Sequence, residues 1–255
     1  MPVRVDTVYQ RVLTIANKEQ RGYITPQEFN LYANLAQMDI FEQYFYDLNQ
    51  FRRMNGNDTV YSDMVTKLED KIEVFERAIG TAGILNPATS WSVTTNNAIR
   101  VPADVHSIVR VEYSPDAVQV PFIEAERLNT KDFNSTIRTS TPLLNPLPSR
   151  PVCNLRRNRL RINDGTGLVA PPTNNIAIFF IQRPIDVKWG YVVIRQGGGK
   201  ALYNANTSTD FELHISEEVE LVYKILTYAG IAIKREDIVQ GGASLDASKK
   251  QQEKQ

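Results

Sequence analysis

Cysteine is almost absent from this 255-residue chain: Cys153 stands alone, so no internal disulfide can form. Histidine is nearly as scarce. His106 and His214 are the only two, and no pair of ligand-type residues has the spacing of a zinc site. A Cys153/His nucleophile pair has no flanking signature, and no serine-hydrolase elbow, kinase set or dinucleotide fingerprint occurs. Apolar runs fall short of the ~20 residues of a membrane span, and Met1-Pro2-Val3-Arg4-Val5-Asp6 carries no signal-peptide core. The absences lead us to expect a non-enzymatic protein with no metal and no cofactor, made in a reducing cytoplasm and outside the membrane. In such a protein the glycosylation-pattern matches at Asn57, Asn134 and Asn206 are expected to be coincidental.

Net charge is absent too, but only by cancellation. Residues 1–80 hold 9 basic and 12 acidic residues, residues 81–200 hold 14 and 8, and residues 201–255 hold 6 and 9. A basic middle between acidic ends predicts electrostatic self-complementarity or an anionic partner for the middle.

Apolar periodicity predicts three helices at the start. The first covers residues 5–19, with Val5, Val8, Val12 and Ile15 along one side. The second begins at Thr25-Pro26-Gln27-Glu28 and runs to about Met54. Thr25 suits the N-cap, Pro26 suits the first helical position and Glu28 closes a capping box. This helix is apolar all round. At ~100° per residue, Phe29, Ile40, Tyr44 and Phe51 point one way, Leu31, Met38 and Phe45 nearly the opposite way, and Tyr32, Leu35 and Tyr46 fill a third sector. A surface helix has one apolar stripe, so this one needs cover on every side. The third helix is predicted from Ser62 to Gly80, with a narrow seam of Val65, Leu68, Ile72, Phe75 and Ile79 and a charged opposite face. Narrow seams cover few aromatics. Tyr32, Phe41, Tyr44, Phe45, Tyr46 and Phe51 are therefore expected to form a subunit interface.

Beyond Gly83 and Pro87, short β-branched runs alternate with turn residues, at 91–95, 98–101, 106–113, 118–123, 152–155, 159–163, 176–182 and 191–195. A short helix is predicted over 124–133 and a proline-rich crossing loop over 139–151. Helix returns at Ser216, which suits a cap, with Glu217, Glu218 and Glu220 in the first turn and Val219, Val222, Ile225, Leu226 and Ala229 on the apolar face up to Gly230. From Gly241 the chain is polar and cannot build a core of its own. The predicted fold class is α+β, a helical bundle of amino-terminal helices plus the carboxy-terminal helix, with an inserted antiparallel β sandwich or barrel. Its predicted divisions are 1–86, 87–215, 216–240 and a flexible or partner-docking tail at 241–255.

Two motifs imitate ligand sites. Residues 17–28 resemble a calcium loop through Gly22, Ile24 and Glu28, but Arg21 takes a ligand position, Pro26 interrupts it, and Glu28 serves the capping box. Gln196-Gly197-Gly198-Gly199-Lys200-Ala201 lacks the first glycine and the final hydroxyl of a phosphate loop, and strand follows it where a helix is required. The one concentrated basic element is residues 156–162. On a strand, Arg157, Arg159 and Arg161 share one face and Leu160 and Ile162 the other. Such a ladder either protects a sheet edge or touches the phosphates of DNA or another anionic partner without reading bases. It lacks interleaved aromatics, so base stacking is not indicated.

Residues 6–10 and 17–30, the stretch from Arg183-Pro184 to Trp189-Gly190-Tyr191, and Phe211-Glu212-Leu213-His214 with Glu217-Glu218 and residues 226–231 resemble virion structural proteins of tailed bacteriophages. With the order of helices, β part, helix and polar tail, the chain resembles the head-to-tail connector (adaptor, ring or tail tubular) proteins of crAss-like and short-tailed phages. The resemblance implies a homo-oligomeric, twelve-membered ring in the virion, bound to the portal and to adjacent tail or ring proteins, with duplex DNA passing through. It brings no catalytic residues. In that family the carboxy-terminal segment often reaches onto the portal, which would give Leu245, Lys249 and Lys250 a docking role. The residues themselves leave three alternatives open: a nucleic-acid-binding module using the basic strand, another phage tail or receptor-side β protein, and a small β-domain enzyme or carbohydrate binder.

Overall fold

The computed structural model describes residues 2–18, 24–53, 59–80, 91–94, 97–115, 122–138, 145–169, 175–194 and 200–232, with Ser244 and Ala247. The fold is mixed α+β, and the chain divides into two compact units: Met1–Val74 with Pro184–Gln255, and Phe75–Arg183. The β unit is thus an insertion into a helical one. The divisions fall at 74/75 and 183/184, where 86/87 and 215/216 were expected. The reason is that residues 76–80 form a strand, and residues 184–215 fold with the helices. No helix among the described residues is long and apolar enough to cross a membrane.

The helical unit contains α1 (Val5–Lys18), α2 (Pro26–Arg53), α3 (Thr59–Glu73) and, after the β unit, the ribbon β10 (Tyr191–Ile194) and β11 (Lys200–Tyr203). Its last helix is α5 (Glu218–Ala232), since α4 (Thr130–Arg138) lies in the β unit. The expected capping box starts α2: the Glu28 amide donates to Thr25 Oγ1 (3.3 Å), and Thr25 N and Oγ1 donate to Glu28 Oε2 (2.9 and 2.7 Å). The backbone and hydroxyl donors of Thr25 hold the Glu28 carboxyl below its ordinary range. The start of α5 departs from expectation. His214, not Ser216, caps a 3-10 turn over Ile215–Glu217, and the α-helix follows that turn. Ser216 instead donates to the buried carboxylate of Glu217, which also pairs with Lys71 of α3 (2.7 Å). Gly230, the expected end, lies buried inside α5. Lys224 of α5 pairs with Asp39 of α2.

The expected third helix stops at Glu73, short of Gly80. Phe75 is buried, its carbonyl accepts from Gln182 N (2.9 Å), and β1 (Glu76–Gly80) pairs antiparallel with β9 (Asn175–Gln182) from Glu76↔Ile181 to Gly80↔Ala177. A β-rich partner strand overrides the helical spacing of Phe75 and Ile79, since local propensity differs by only ~1 kcal/mol per residue.

The β unit holds two sheets that do not close into a barrel. One has the order β1-β9-β4-β5, with β4 (Val105–Ser114) and β5 (Ile123–Glu124). The other has the order β2-β3-β8-β7-β6, with β2 (Ser92–Thr94), β3 (Ala98–Arg100), β6 (Glu126–Arg127), β7 (Val152–Arg156) and β8 (Arg159–Asn163). Trp91, Ile99, Cys153, Leu160 and Ile162 from the second sheet region share one apolar cluster with Val111, Tyr113, Ile178 and Phe180 from the first. That shared core is the arrangement of a sandwich. The short helix is displaced from 124–133 to α4, because residues 123–127 join the sheets.

Two side chains in this core give direct tests. Burial pushes the Cys153 thiol up to about 11, with Arg127 opposing and Glu124 adding to the shift. Thiol reagents at pH 8 are expected to modify native Cys153 at least roughly a hundredfold more slowly than the urea-unfolded chain, because thiolate is scarce and covered. Labelling at the unfolded rate in native buffer would contradict this core. The second is Asp164, which accepts from Tyr113 Oη (2.8 Å) and from Thr166 N and Oγ1 (2.9 and 2.7 Å). Burial raises its pKa, but these donors outweigh burial and the net shift is downward; burial and Asp164 together raise Tyr113. A depressed carboxyl stabilises the fold above its unfolded pKa, and the contribution disappears as pH falls through the folded value. Urea melts should therefore show stability lost below about pH 4, and Asp164→Asn should flatten that acid limb while lowering stability at pH 7. An acid limb unchanged by the substitution would show that other carboxylates set it.

Candidate nucleic-acid interface

The hairpin β7–β8 turns on Arg157 and Asn158, with φ of 48° and 57°. Two consecutive left-handed residues make the tight turn whose twist matches the flanking strands. Asparagine suits that conformation. Arginine costs roughly 1–2 kcal/mol there, so backbone ease does not explain its presence. The expected ladder is corrected accordingly: Arg157 sits in the turn, and only Arg159 and Arg161 lie on the strand.

Register builds a different basic group. Arg156 pairs with Arg159 across β7–β8, and Arg159 pairs with Arg100 across β8–β3. Directly paired residues share a face, so Arg100, Arg159 and Arg156 form a row across three strands spaced ~4.8 Å apart. Arg161 lies two residues further on the same face, and Arg157 stands at its end in the turn. Ile99, Leu160 and Leu155 occupy the reverse face and join the core. Arg100, Arg156, Arg157 and Arg159 are exposed and Arg161 is half-buried.

None of these five arginines forms an ion pair with a described residue. Elsewhere in the unit, Arg150 pairs with Glu126 (2.9 Å), and Arg110 pairs with Glu112 (3.3 Å) and stacks over Phe179. Like charges directly opposed across strands cost up to ~1 kcal/mol each. The unit also concentrates arginine: residues 75–183 hold eleven arginines, one lysine and eight acidic residues, a net of +4. Arginine suits phosphate because its planar fork donates two parallel hydrogen bonds. The face can hold anionic oxygens. Sequence reasoning missed Arg100 and Arg156, since only strand pairing sets them beside Arg159. The residues Arg157-Asn158 between apolar-alternating strands were the available hairpin signal.

The second group of expected site residues lies on α2. Phe41 and Tyr44 are buried within their own chain, so they are not an interface in this conformation. Tyr32, Phe45 and Phe51 are half-buried, and Tyr46 is exposed. The buried face is assembled from Phe29, Ala33, Ala36, Gln37, Ile40, Phe41 and Tyr44. Leu31 (71% exposed), Leu35 (53%) and Tyr46 (65%) stand on the other side. The all-round enclosure expected from periodicity does not hold within the chain. The two small residues Ala33 and Ala36 mark the buried side, a signal that counting large apolar residues overlooks. Leu245, Lys249 and Lys250 lie outside the described residues, as do the glycines 197–199 and residues 19–23 of the imitation calcium loop. No cluster of metal-ligating side chains occurs among the described residues.

Residues 185–190 have a structural role of their own. Asn34 accepts from Val187 N (2.6 Å) and donates to Val187 O (3.0 Å), Asn30 accepts from Trp189 N (2.7 Å), and Gln37 donates to Ile185 O (2.8 Å). Side-chain amides at i, i+4 and i+7 of α2 thus pair with alternate residues of an extended segment. Compared with known protein families the chain matches none, and no curated protein matches it either.

Proposed function

We propose that this chain is a structural virion protein, a ring-forming head-to-tail connector that docks under the portal and joins it to tail components around the DNA path. The observation that carries the reading is the bare stripe of Leu31, Leu35 and Tyr46 on α2. A rigid helix, packed and hydrogen-bonded along its other sides, holds large apolar side chains in water, which marks a contact surface. In this reading the stripe meets a neighbouring subunit, duplex DNA passes without base readout, and no catalysis takes place. The number twelve rests on the resemblance alone. Light scattering and negative-stain imaging of the purified protein, alone and with its portal, test the proposal: rings or portal-bound assemblies are expected. A strict monomer that never binds the portal would overturn it.

The arginine face favours a second reading, a module that binds nucleic acid through phosphate. The two readings are compatible in one protein. They separate experimentally, because only the second requires measurable duplex affinity of the isolated chain.

A further inference from the structure

We propose that the β10–β11 ribbon of one copy seats on the α2 stripe of the next copy, a contact that rests on the connector reading and gives its subunit interface two named faces. The root of the ribbon is anchored. Trp189 stacks on Tyr191 (5.9 Å between ring centroids), contacts Tyr203 (5.7 Å) and Tyr9 (4.2 Å), and donates its indole N–H to Asp6 Oδ1 (3.0 Å). On the opposite face of the ribbon, the cross-strand partners Val192 and Leu202 are each 53% exposed. Among the described residues neither outer edge of this two-stranded sheet is paired. A lone two-stranded ribbon with bare aliphatic side chains is marginal in water and needs cover.

Charge selects the cover. Residues 187–209 carry Lys188, Arg195 and Lys200 and no acidic residue. From residue 26 to residue 51, α2 contains no basic residue; Arg52 and Arg53 close the helix, and Arg53 stands beyond Tyr46 at the end of the stripe. At ~100° per residue, Glu28 and Glu42 fall on the side of Leu31, Leu35 and Tyr46. Two apolar patches on one compact unit are thus bordered by opposite charge. Facing two α2 stripes about Leu35 would set Glu28 of each copy against Glu42 of the other, and facing two ribbons would oppose two segments that hold only basic charge. Like-charge juxtaposition disfavours both symmetric pairings. The contact is therefore heterologous: each added copy presents a fresh ribbon at one side and a fresh stripe at the other, and the assembly closes as a ring or continues as a filament.

Cysteine cross-linking tests the geometry, with the buried Cys153 giving no background in the native chain. Leu35→Cys and Leu202→Cys are both surface changes. An equimolar mixture of the two single variants is expected to give a disulfide heterodimer on mild oxidation, and the double variant a ladder of oligomers. Glu42→Lys placed in the Leu35→Cys chain is expected to lower the yield at low salt. Self-linking of either single variant in preference to the mixed pair would overturn the proposal. So would the absence of the mixed product both in the concentrated protein and in its mixture with the portal. Portal binding without the cross-link between positions 35 and 202 would refute this contact and keep the connector. The cross-link in open filaments, with neither rings nor portal binding, would keep the contact and refute the connector.

Discussion

Asn34→Ala is expected to destabilise the helical unit by roughly 2–4 kcal/mol, chiefly from the two lost hydrogen bonds to Val187 and the backbone groups they leave unsatisfied. The Asn34 side chain is fully used: its oxygen accepts from Val187 N, and its nitrogen donates to Val187 O and to Asn30 O (2.9 Å). Val187 is buried, so water cannot replace the amide. The geometry of the clamp explains its residue types. Asn30 to Gln37 rises ~10.5 Å along a helix, while residues 185–189 span ~13 Å of extended chain. The mismatch accumulates toward Gln37, where one more methylene makes up the reach. Gln37 also accepts from Glu212 N (3.2 Å), and Lys188 and Thr209 exchange backbone bonds on the far edge of the segment (3.1 and 2.8 Å). Urea melts of Asn34→Ala against Asn49→Ala, an exposed change on the same helix, measure the effect, and the control should stay within ~0.5 kcal/mol. A loss below ~1 kcal/mol for Asn34→Ala would mean that packing alone holds the segment.

Replacing Arg100, Arg156 and Arg159 together by glutamine is expected to flatten the salt dependence of duplex-DNA binding. Each phosphate contact removed lowers the log–log slope by ~0.9, so three shift it by ~2.7, and the affinity lost between 50 and 200 mM salt shrinks by about 40-fold. Sequence preference should not change, because phosphate contacts position without specifying. The triple change sits on the outer face of the sheet and relieves like-charge opposition, so thermal stability should hold or rise slightly. Arg110→Gln serves as the control. It lies in an ion pair and over a ring, and its loss should leave the slope unaltered. Equal slopes for the triple variant and the native chain would refute phosphate binding at this face.

The capping box at Thr25 and Glu28, the length of α2 and most strands were legible in the sequence, because each rests on neighbours a few residues apart. Short-range spacing also led to error where a distant partner intervened. Ile72, Phe75 and Ile79 carry helical spacing, yet the chain leaves the helix at Glu73 and pairs Glu76–Gly80 with β9. His214 replaces Ser216 as cap because a 3-10 turn over Ile215–Glu217 precedes the helix, so the capping position moves back to residue 214, whose Nδ1 accepts from Ser216 N (3.3 Å). The arginine row was illegible for the same reason: Arg100 and Arg156 meet only through the strand between them.

Amino-acid order alone decided that the chain is mixed α and β, that its one thiol makes no internal disulfide, and that α2 carries more apolar surface than a surface helix needs. These follow from composition and local periodicity. Tertiary structure decided which part of that surface is bare. It buried Phe41 and Tyr44 and left Leu31 and Leu35 in water. It also joined Arg100 to Arg156 through Arg159, across 56 positions of chain. The physical reason is the same in both cases. Burial and strand register are set by residues far away in sequence, and a shift of one position would turn every side chain of a strand to the other face.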